Sequence, residues 1–195
     1  MGLEIIFLVF NIFLMNFSKK LIVVANRLPV TVHSDLTISR SPGGLVSGLM
    51  TFLEKSSIKD YIWVGWPGSY LRSSAIDRLK SKFKRLKTHP VSVSSKQFEK
   101  FYNGFCNKVL WPLFHEFLSY VDYDEEYWKT YVAVNKVFCN EVAKHVTPDS
   151  VVWVHDYHLL LLPSMLRSLF PNLPIGFFLH IPFPSPSIFM QLPWR

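Results

Sequence analysis

Hydrophobic runs of strand length alternate with longer segments of helical periodicity along most of the chain. The strand candidates are Leu21–Ala25, Tyr61–Val64, Val91–Val93, Val151–Val154 and Ile175–Leu179. Several of these runs have no polar face, which is typical of strands buried on both sides of a parallel sheet. The alternation therefore predicts an α/β fold, a Rossmann-like parallel sheet with helices on both faces and right-handed crossovers.

Four helices are predicted between these strands. The first follows Gly43-Gly44 and presents an apolar face at helical spacing, made of Leu45, Leu49, Phe52 and Leu53. The second covers the basic stretch Leu71–Lys87. The third starts at the predicted N-cap Asp124, because Glu125 and Glu126 suit the positive end of a helix dipole. The fourth covers Leu159–Phe170.

Polar residues stand where several of the predicted strands end. Asp156 and His180 each follow an apolar strand, and parallel α/β sheets bind ligands outside the carboxyl ends of their strands. We therefore expect both side chains to face one crevice, with Asp156 accepting hydrogen bonds from a sugar hydroxyl. The alternatives are that Asp156 only caps the following helix and that His180 is a core histidine.

Two further features favour an anionic ligand. Arg27 directly follows the first strand, where a guanidinium can bind phosphate oxygens in a forked geometry. Gly43-Gly44 precedes a helix, whose free N–H groups and dipole attract phosphate. A surface ion pair for Arg27 and an ordinary turn for the glycines remain alternatives.

We predict no metal, no cofactor and no nucleophilic triad. The segment His155–His158 carries metal-ligand residue types, but no further cluster in the sequence completes a coordination shell. Cys106 and Cys139 are far apart and form no CxxC motif, so they are predicted to be reduced thiols of a cytoplasmic protein.

The net charge of +7 favours anionic partners only weakly. Much of the excess lies between Arg72 and Lys87, opposed there only by Asp77, and Phe83 is the one aromatic residue among these charges. Since nucleic-acid surfaces interleave basic and aromatic side chains, we interpret this stretch as a solvated helix face. No nucleic-acid partner is expected.

Residues 1–20 are interpreted as an apolar extension, separate from a domain that covers residues 21–195. The apolar run Ile5–Met15 is too short to span a membrane. It has Glu4 in place of a basic region and no small-residue cleavage site. A start-site artefact and a targeting signal are the alternatives, and membrane association is not expected.

Six longer motifs occur in order along the chain. They are VVANRLPV (Val23–Val30), SPGGLVSGL (Ser41–Leu49), WVGWPG (Trp63–Gly68), FYNGFCNKVLWPLFH (Phe101–His115), VVWVHDYHLL (Val151–Leu160) and GFFLHIPFPSPSIF (Gly176–Phe189). Together they resemble the amino-terminal half of trehalose-6-phosphate synthases, retaining glycosyltransferases of the GT-B fold. The resemblance implies transfer of glucose from UDP-glucose to glucose 6-phosphate, without a metal, to form α,α-trehalose 6-phosphate.

The resemblance also implies roles for individual residues. Those expected at the acceptor, glucose 6-phosphate, are Arg27, Tyr102, Trp111 and Asp156. Those expected at the donor, UDP-glucose, are Gly43, Gly44 and His180. Asp156 and His180 are expected to act in catalysis, and Trp111 and Ile181 to set anomer selectivity.

The family's donor-binding domain has no counterpart in this sequence. The resemblance therefore implies an incomplete amino-terminal domain that carries the acceptor half of the site and is inactive alone. A homo-oligomer and a fused or separate trehalose-phosphate phosphatase are the expected partners. A non-catalytic regulatory subunit that binds sugar phosphate and another GT-B glucosyltransferase, such as one that elongates glucan, remain the alternative functions.

Overall fold

The computed structural model describes residues 20–195 and contains a five-stranded parallel sheet and a short hairpin. The strands of the sheet are β1 (Lys20–Arg27), β4 (Tyr61–Trp66), β5 (Thr88–Pro90), β6 (Ser150–His155) and β7 (Ile175–Phe178). The hairpin pairs β2 (Val30–Val32) with β3 (Ile38–Arg40) in antiparallel register. The predicted extension before Lys20 lies outside the described residues.

The strand order of the sheet is β5-β4-β1-β6-β7, and every pairing is parallel. The chain builds outward from β1 to one edge and then returns to the other side of β1 with β6. This reversal makes the boundary between β1 and β6 the topological switch point, where a crevice opens outside the carboxyl ends of the strands. Arg27 and Asp156 stand at these two ends.

The helices follow the strands in the order that a Rossmann-like fold requires. They are α1 (Gly44–Lys55), α2 (Ser73–Arg85), α3 (Ser95–Phe98), α4 (Trp111–Phe114), α5 (Glu125–Ala143), α6 (Leu162–Leu169) and α7 (Pro186–Phe189). A π-helix, Glu99–Leu110, joins α3 to α4, and short 3₁₀ turns occupy Leu118–Tyr120 and Tyr157–Leu159. Asp124 is the N-cap of α5, as predicted, and its carboxylate accepts a hydrogen bond from Glu126 N at 2.7 Å.

Alternate residues of β1 face two separate cores. Leu21 and Val23 pack against α1 and α2 on one side, and Ile22 and Val24 pack against the π-helix, α5 and α6 on the other. Helices therefore cover both faces of the sheet, and the predicted fold class is confirmed. With both faces covered, the interiors of β1 and β6 are apolar, so their polar residues lie at the strand ends.

Two of the strand predictions are wrong in detail. The third strand is Thr88–Pro90 rather than Val91–Val93, because His89 and Pro90 pair with β4 while Val91 and Val93 are buried beyond its end. The predicted strand Ile175–Leu179 forms as β7, but it is an edge strand, and Phe177 is 39% exposed. The expectation of burial on both faces therefore holds for β6 and not for β7.

The helix predictions also need correction. Leu162–Leu169 is helical, but the residues before it form a 3₁₀ turn, so the predicted helix Leu159–Phe170 is shorter at both ends. The buried face of α1 consists of Val46, Leu49 and Leu53, while Leu45 and Phe52 are only partly buried. The helical stretch between Ser95 and Phe114 was not predicted.

Gly65, the last but one residue of β4, lies against the backbone at the end of β1. A Cβ atom there would lie 2.8 Å from the carbonyl carbon of Arg27 and 2.8 Å from Leu28 N. We expect Gly65→Ala to lower the free energy of unfolding by about 1–3 kcal/mol, because the paired strands β1 and β4 cannot move apart to make room for the added methyl group. Thermal denaturation would measure the loss as a lower melting temperature.

Gly48→Ala is the matched control for this substitution. Gly48 lies inside α1, and a Cβ atom there would meet nothing within 4 Å. Alanine should therefore stabilise the protein by about 0.5–1 kcal/mol, because glycine is a poor helix former. Equal melting temperatures for the two variants would contradict the close approach of β1 and β4.

Within residues 20–195, none of the helices combines the length and the apolar character that crossing a membrane requires.

Candidate active site

Arg27 ends β1 and lies beside the last residue of the neighbouring strand, Trp66. Its guanidinium lies over the Trp66 ring, 5.0 Å from the centroid, and its Nη2 donates a hydrogen bond to Thr31 Oγ1 at 3.0 Å. Burial lowers the pKa of Arg27, and the nearby Tyr102 hydroxyl opposes this shift. An arginine remains protonated after such a shift, so the crevice holds a partly desolvated positive charge.

A chain of hydroxyl groups links Arg27 to the glycine loop. Thr31 Oγ1 shares a hydrogen bond of 2.9 Å with Ser41 Oγ, two residues before Gly43. Gly43 is the N-cap of α1, with a φ of 129° that favours glycine, and no side chain caps this helix end. A Cβ atom on Gly43 or Gly44 would meet nothing within 4 Å, so the N–H groups of the first turn are open to an anion.

Tyr102 projects from the π-helix toward the turn that follows β6. Its ring stacks on that of His158 at 5.5 Å with an interplanar angle of 8°, and on Phe98 at 5.0 Å. His158 is buried, which lowers its pKa to about 4 despite the opposing charge of Asp156. The imidazole is therefore neutral at pH 7 and lies between the tyrosine and the carboxylate.

Asp156 occupies a backbone conformation that is rare for a residue with a side chain. Its φ is 75° and its ψ is 165°, and such strain is typical of functional sites. Oδ1 accepts hydrogen bonds from Tyr157 N at 3.0 Å and His180 N at 3.3 Å. Oδ2 lies 3.6 Å from His158 Nδ1, beyond hydrogen-bond distance, and accepts no hydrogen bond within residues 20–195.

Both interpretations of Asp156 therefore have a structural basis, one on each oxygen. Oδ1 caps the 3₁₀ turn, as the helix-cap alternative required, and it also fixes the segment that carries His180. Oδ2 keeps the accepting lone pairs that the sugar-hydroxyl interpretation required.

His180 shares a hydrogen bond with His155, of 3.0 Å between His180 Nε2 and His155 Nδ1. Desolvation lowers the pKa of both residues, that of His155 to about 3, while Asp156 partly opposes the shift of His180. His155 is 1% exposed and His180 lies at the surface of the crevice, so the core-histidine alternative applies to His155 rather than His180.

Several buried polar atoms of this region have no hydrogen-bond partner within the part of the chain that the structure describes. They are Arg27 Nε, Trp66 Nε1, Ser69 Oγ, His155 Nε2 and His158 Nδ1. Buried donors are rarely left without an acceptor in folded proteins. Arg27 Nε and Trp66 Nε1 are both N–H donors on stacked side chains, so together they suit an oxygen-rich anion.

The structure brings together four of the predicted site residues: Arg27, Tyr102, Asp156 and His180. Electrostatic, stacking and hydrogen-bond contacts connect them in one cluster through His158. The Trp111 ring stacks on that of His115 at 4.2 Å and lies 6.1 Å from that of Phe117, and the residue is 40% exposed. Ile181 is partly buried against the core beneath the π-helix.

Thr31 and Trp66 had no predicted role. Trp66 lies in the motif WVGWPG and could have been suspected from its place at a strand end. His155 and His158 were considered only as metal ligands. The hairpin that carries Thr31 gave no comparable signal, because its strands have three residues each.

Known relatives of the chain are similar along nearly all of its length. The chain is 44% identical over 185 residues to an "alpha,alpha-trehalose-phosphate synthase [UDP-forming] A" of Dictyostelium discoideum, covering 92% of this chain and 24% of that protein. It is 40% identical to a "bifunctional trehalose-6-phosphate synthase/phosphatase" of Thermoproteus tenax, covering 90% and 25%. The chain thus spans about a quarter of the length of these two relatives.

A solved structure and a family model agree with these relatives. The solved structure is that of a UDP-forming alpha,alpha-trehalose-phosphate synthase of Burkholderia xenovorans in complex with glucose-6-phosphate. It matches this chain with a TM-score of 0.69 and 28% sequence identity, and the match covers 89% of this chain and 36% of that one. This match confirms a partial Rossmann-like domain of the GT-B type. Residues 19–195 match the model of glycosyltransferase family 20. Similarity of sequence and fold over this range places the chain in glycosyltransferase family 20.

Proposed function

We propose that the chain forms the acceptor half of the active site of a UDP-forming α,α-trehalose-phosphate synthase. The observation that carries this proposal is the convergence of Arg27, Tyr102 and Asp156 at the switch point between β1 and β6. A cation and a carboxylate in one crevice, with aromatic rings between them, suit a phosphorylated sugar. The phosphate lies toward Arg27, and the sugar hydroxyls lie toward Asp156.

Arg27 holds the acceptor phosphate in this proposal. Its Nη2 already donates a hydrogen bond to Thr31, while its Nε and the adjacent Trp66 Nε1 have no hydrogen-bond partner within residues 20–195. Phosphate oxygens satisfy both donors, and charge-assisted bonds of this kind are stronger than neutral ones. The aromatic rings of Tyr102 and Trp111 pack against the acceptor sugar. Trp111 and Ile181 together set anomer selectivity.

The donor lies on the glycine side of the crevice. The uncapped start of α1 at Gly43 and Gly44 binds the diphosphate through backbone N–H groups and the helix dipole. His180 lies at the transferred glucose, held in place by its hydrogen bonds to Asp156 and His155. The remaining donor contacts come from a second domain, so the chain alone is inactive.

The reaction proceeds with retention of configuration. A hydroxyl of the acceptor, oriented by Asp156 Oδ2, attacks the anomeric carbon from the face on which UDP departs, and a donor phosphate oxygen takes its proton. The transition state resembles an oxocarbenium ion. The protein contributes position and charge stabilisation, and no step requires a metal or a further cofactor.

Partners and location follow from the same proposal. The bifunctional relative supports a trehalose-phosphate phosphatase, fused or separate, as the enzyme that consumes the product. Homo-oligomer formation and a cytoplasmic location stay predictions.

Calorimetric titration of the purified chain tests the acceptor half directly. We expect binding of glucose 6-phosphate, competition by inorganic phosphate, and much weaker binding of glucose and glucose 1-phosphate. A chain that binds glucose as tightly as glucose 6-phosphate would contradict the role of Arg27. In the joined form, in which a donor-binding domain of a relative follows the chain, adding glucose 6-phosphate in the presence of UDP-glucose should release UDP. Binding without UDP release in the joined form would favour the regulatory alternative.

A further inference from the structure

A second cleft, of about 1190 Å³, lies at the end of the sheet opposite the candidate active site. Its lining includes Lys20, Tyr61 and Thr88, the first residues of β1, β4 and β5. Arg27 and Asp156 stand at the other ends of the strands. Whatever this cleft binds is therefore separate from the proposed sugar chemistry.

Three residues in this cleft carry atoms that bind metal ions: His89 on β5, Glu141 in the last turn of α5, and His145 in the turn just after that helix. The rings of His89 and His145 are 3.8 Å apart between centroids, and His145 Nε2 lies 3.1 Å from Glu141 Oε1. One potential ligand atom from each residue lies within 4.8 Å of the other two. The donor atoms around a tetrahedral zinc ion are about 3.3 Å apart, so small side-chain rotations complete the geometry.

We propose that His89, Glu141 and His145 bind one Zn²⁺ ion, and we call this cluster the zinc clip. Two imidazoles and one carboxylate form a familiar zinc ligand set that leaves a fourth position for water. Glu141 lies in the last turn of α5 and His145 in the turn that follows the helix, and their side chains meet there. The ion would join the edge strand β5 to α5, two elements far apart in sequence.

Some of the charges around the zinc clip favour the binding of a cation and others oppose it. Burial lowers the pKa of His89 to about 4, so its imidazole is neutral at pH 7. Lys144 pairs with Glu141 Oε2 at 2.6 Å, which leaves Oε1 directed at His145. Lys20 Nζ, which donates to His145 O at 2.9 Å, places a positive charge nearby and weakens the attraction for a cation. We therefore expect micromolar rather than nanomolar affinity.

The competing interpretation is that Glu141 and His145 form only an ordinary ion pair at the end of α5. Such a pair needs no third ligand, whereas the zinc clip requires His89. Substitution of His89 therefore separates the two interpretations.

Isothermal titration of the purified chain, without a histidine tag, with ZnCl₂ tests this proposal. We expect one saturable site, a melting temperature that rises with zinc concentration, and the visible absorption of tetrahedral Co²⁺ when cobalt replaces zinc. His89→Ala and Glu141→Gln should each weaken binding at least about tenfold. Glu141→Gln keeps the shape of the side chain and one accepting oxygen, so it serves if His89→Ala fails to fold.

His33→Gln is the matched control, because it also removes one histidine but lies outside the zinc clip. His33 is exposed at the hairpin and shares a hydrogen bond with Ser39. It should bind zinc like the unmodified chain. The proposal is wrong if the unmodified chain shows no saturable binding in the micromolar range. Undiminished zinc binding by Glu141→Gln, or by a folded His89→Ala variant, would equally overturn it.

Discussion

Replacing Asp156 with asparagine should lower turnover of the joined form at least tenfold and leave the melting temperature unchanged. A tenfold loss needs only about 1.4 kcal/mol of transition-state stabilisation. Asparagine keeps an oxygen that can accept from Tyr157 N and His180 N, and it caps turns nearly as well as aspartate. It loses the negative charge that strengthens the bond from Oδ2 to a sugar hydroxyl. Coupled UDP release and thermal denaturation measure the two effects.

Asp156→Gly extends this test, because glycine adopts the backbone conformation at φ 75° without strain. Relief of about 1–3 kcal/mol of strain should offset the lost cap, so the variant should be at least as stable as the unmodified protein. Its turnover should be lower still than that of Asp156→Asn. Full activity of the asparagine variant, or a parallel loss of stability and activity in both variants, would show that Asp156 only caps the turn.

Replacing Arg27 with alanine should weaken glucose 6-phosphate binding by about 1.5–3 kcal/mol, roughly ten- to a hundredfold. The affinity for UDP-glucose should change much less, because the start of α1 binds the diphosphate in the proposed site. Arg27→Lys should recover only part of the loss, since an ammonium has neither the forked donors nor the flat contact with Trp66. Separate titrations of the two substrates measure this difference.

Arg78→Ala is the control for Arg27→Ala, because Arg78 is exposed on α2, away from the crevice. It removes the same charge from the protein and should leave both affinities unchanged. An unchanged affinity for glucose 6-phosphate in Arg27→Ala, with a weaker affinity for UDP-glucose, would place Arg27 on the donor instead.

The crevice was predictable because its signals are local in the sequence. Parallel strands buried on both faces are continuous apolar runs, so β1 and β6 are visible in the sequence, and so are Arg27 and Asp156 at their ends. The glycine pair and the N-cap Asp124 are equally local signals. The motif resemblance added Tyr102 and Trp111, to which periodicity alone gave no role.

Other features depended on contacts between distant segments. Pairing with β4 decided that Thr88–Pro90 rather than Val91–Val93 became β5. The position of β7 at the edge left Phe177 exposed, although its sequence is as apolar as that of a central strand. Strand pairing and edge position are properties of the whole sheet, so short apolar runs do not reveal them.

By itself, the sequence determined the α/β class, the central strands and the residues at their carboxyl ends, because burial and helix capping act on neighbouring residues. Only the tertiary structure decided which of these residues meet. It stacked Tyr102 on His158, divided the two oxygens of Asp156 between a turn and the crevice, and brought His89 to Glu141 and His145. Each of these contacts joins segments that the chain separates, or depends on a backbone angle that tertiary packing imposes.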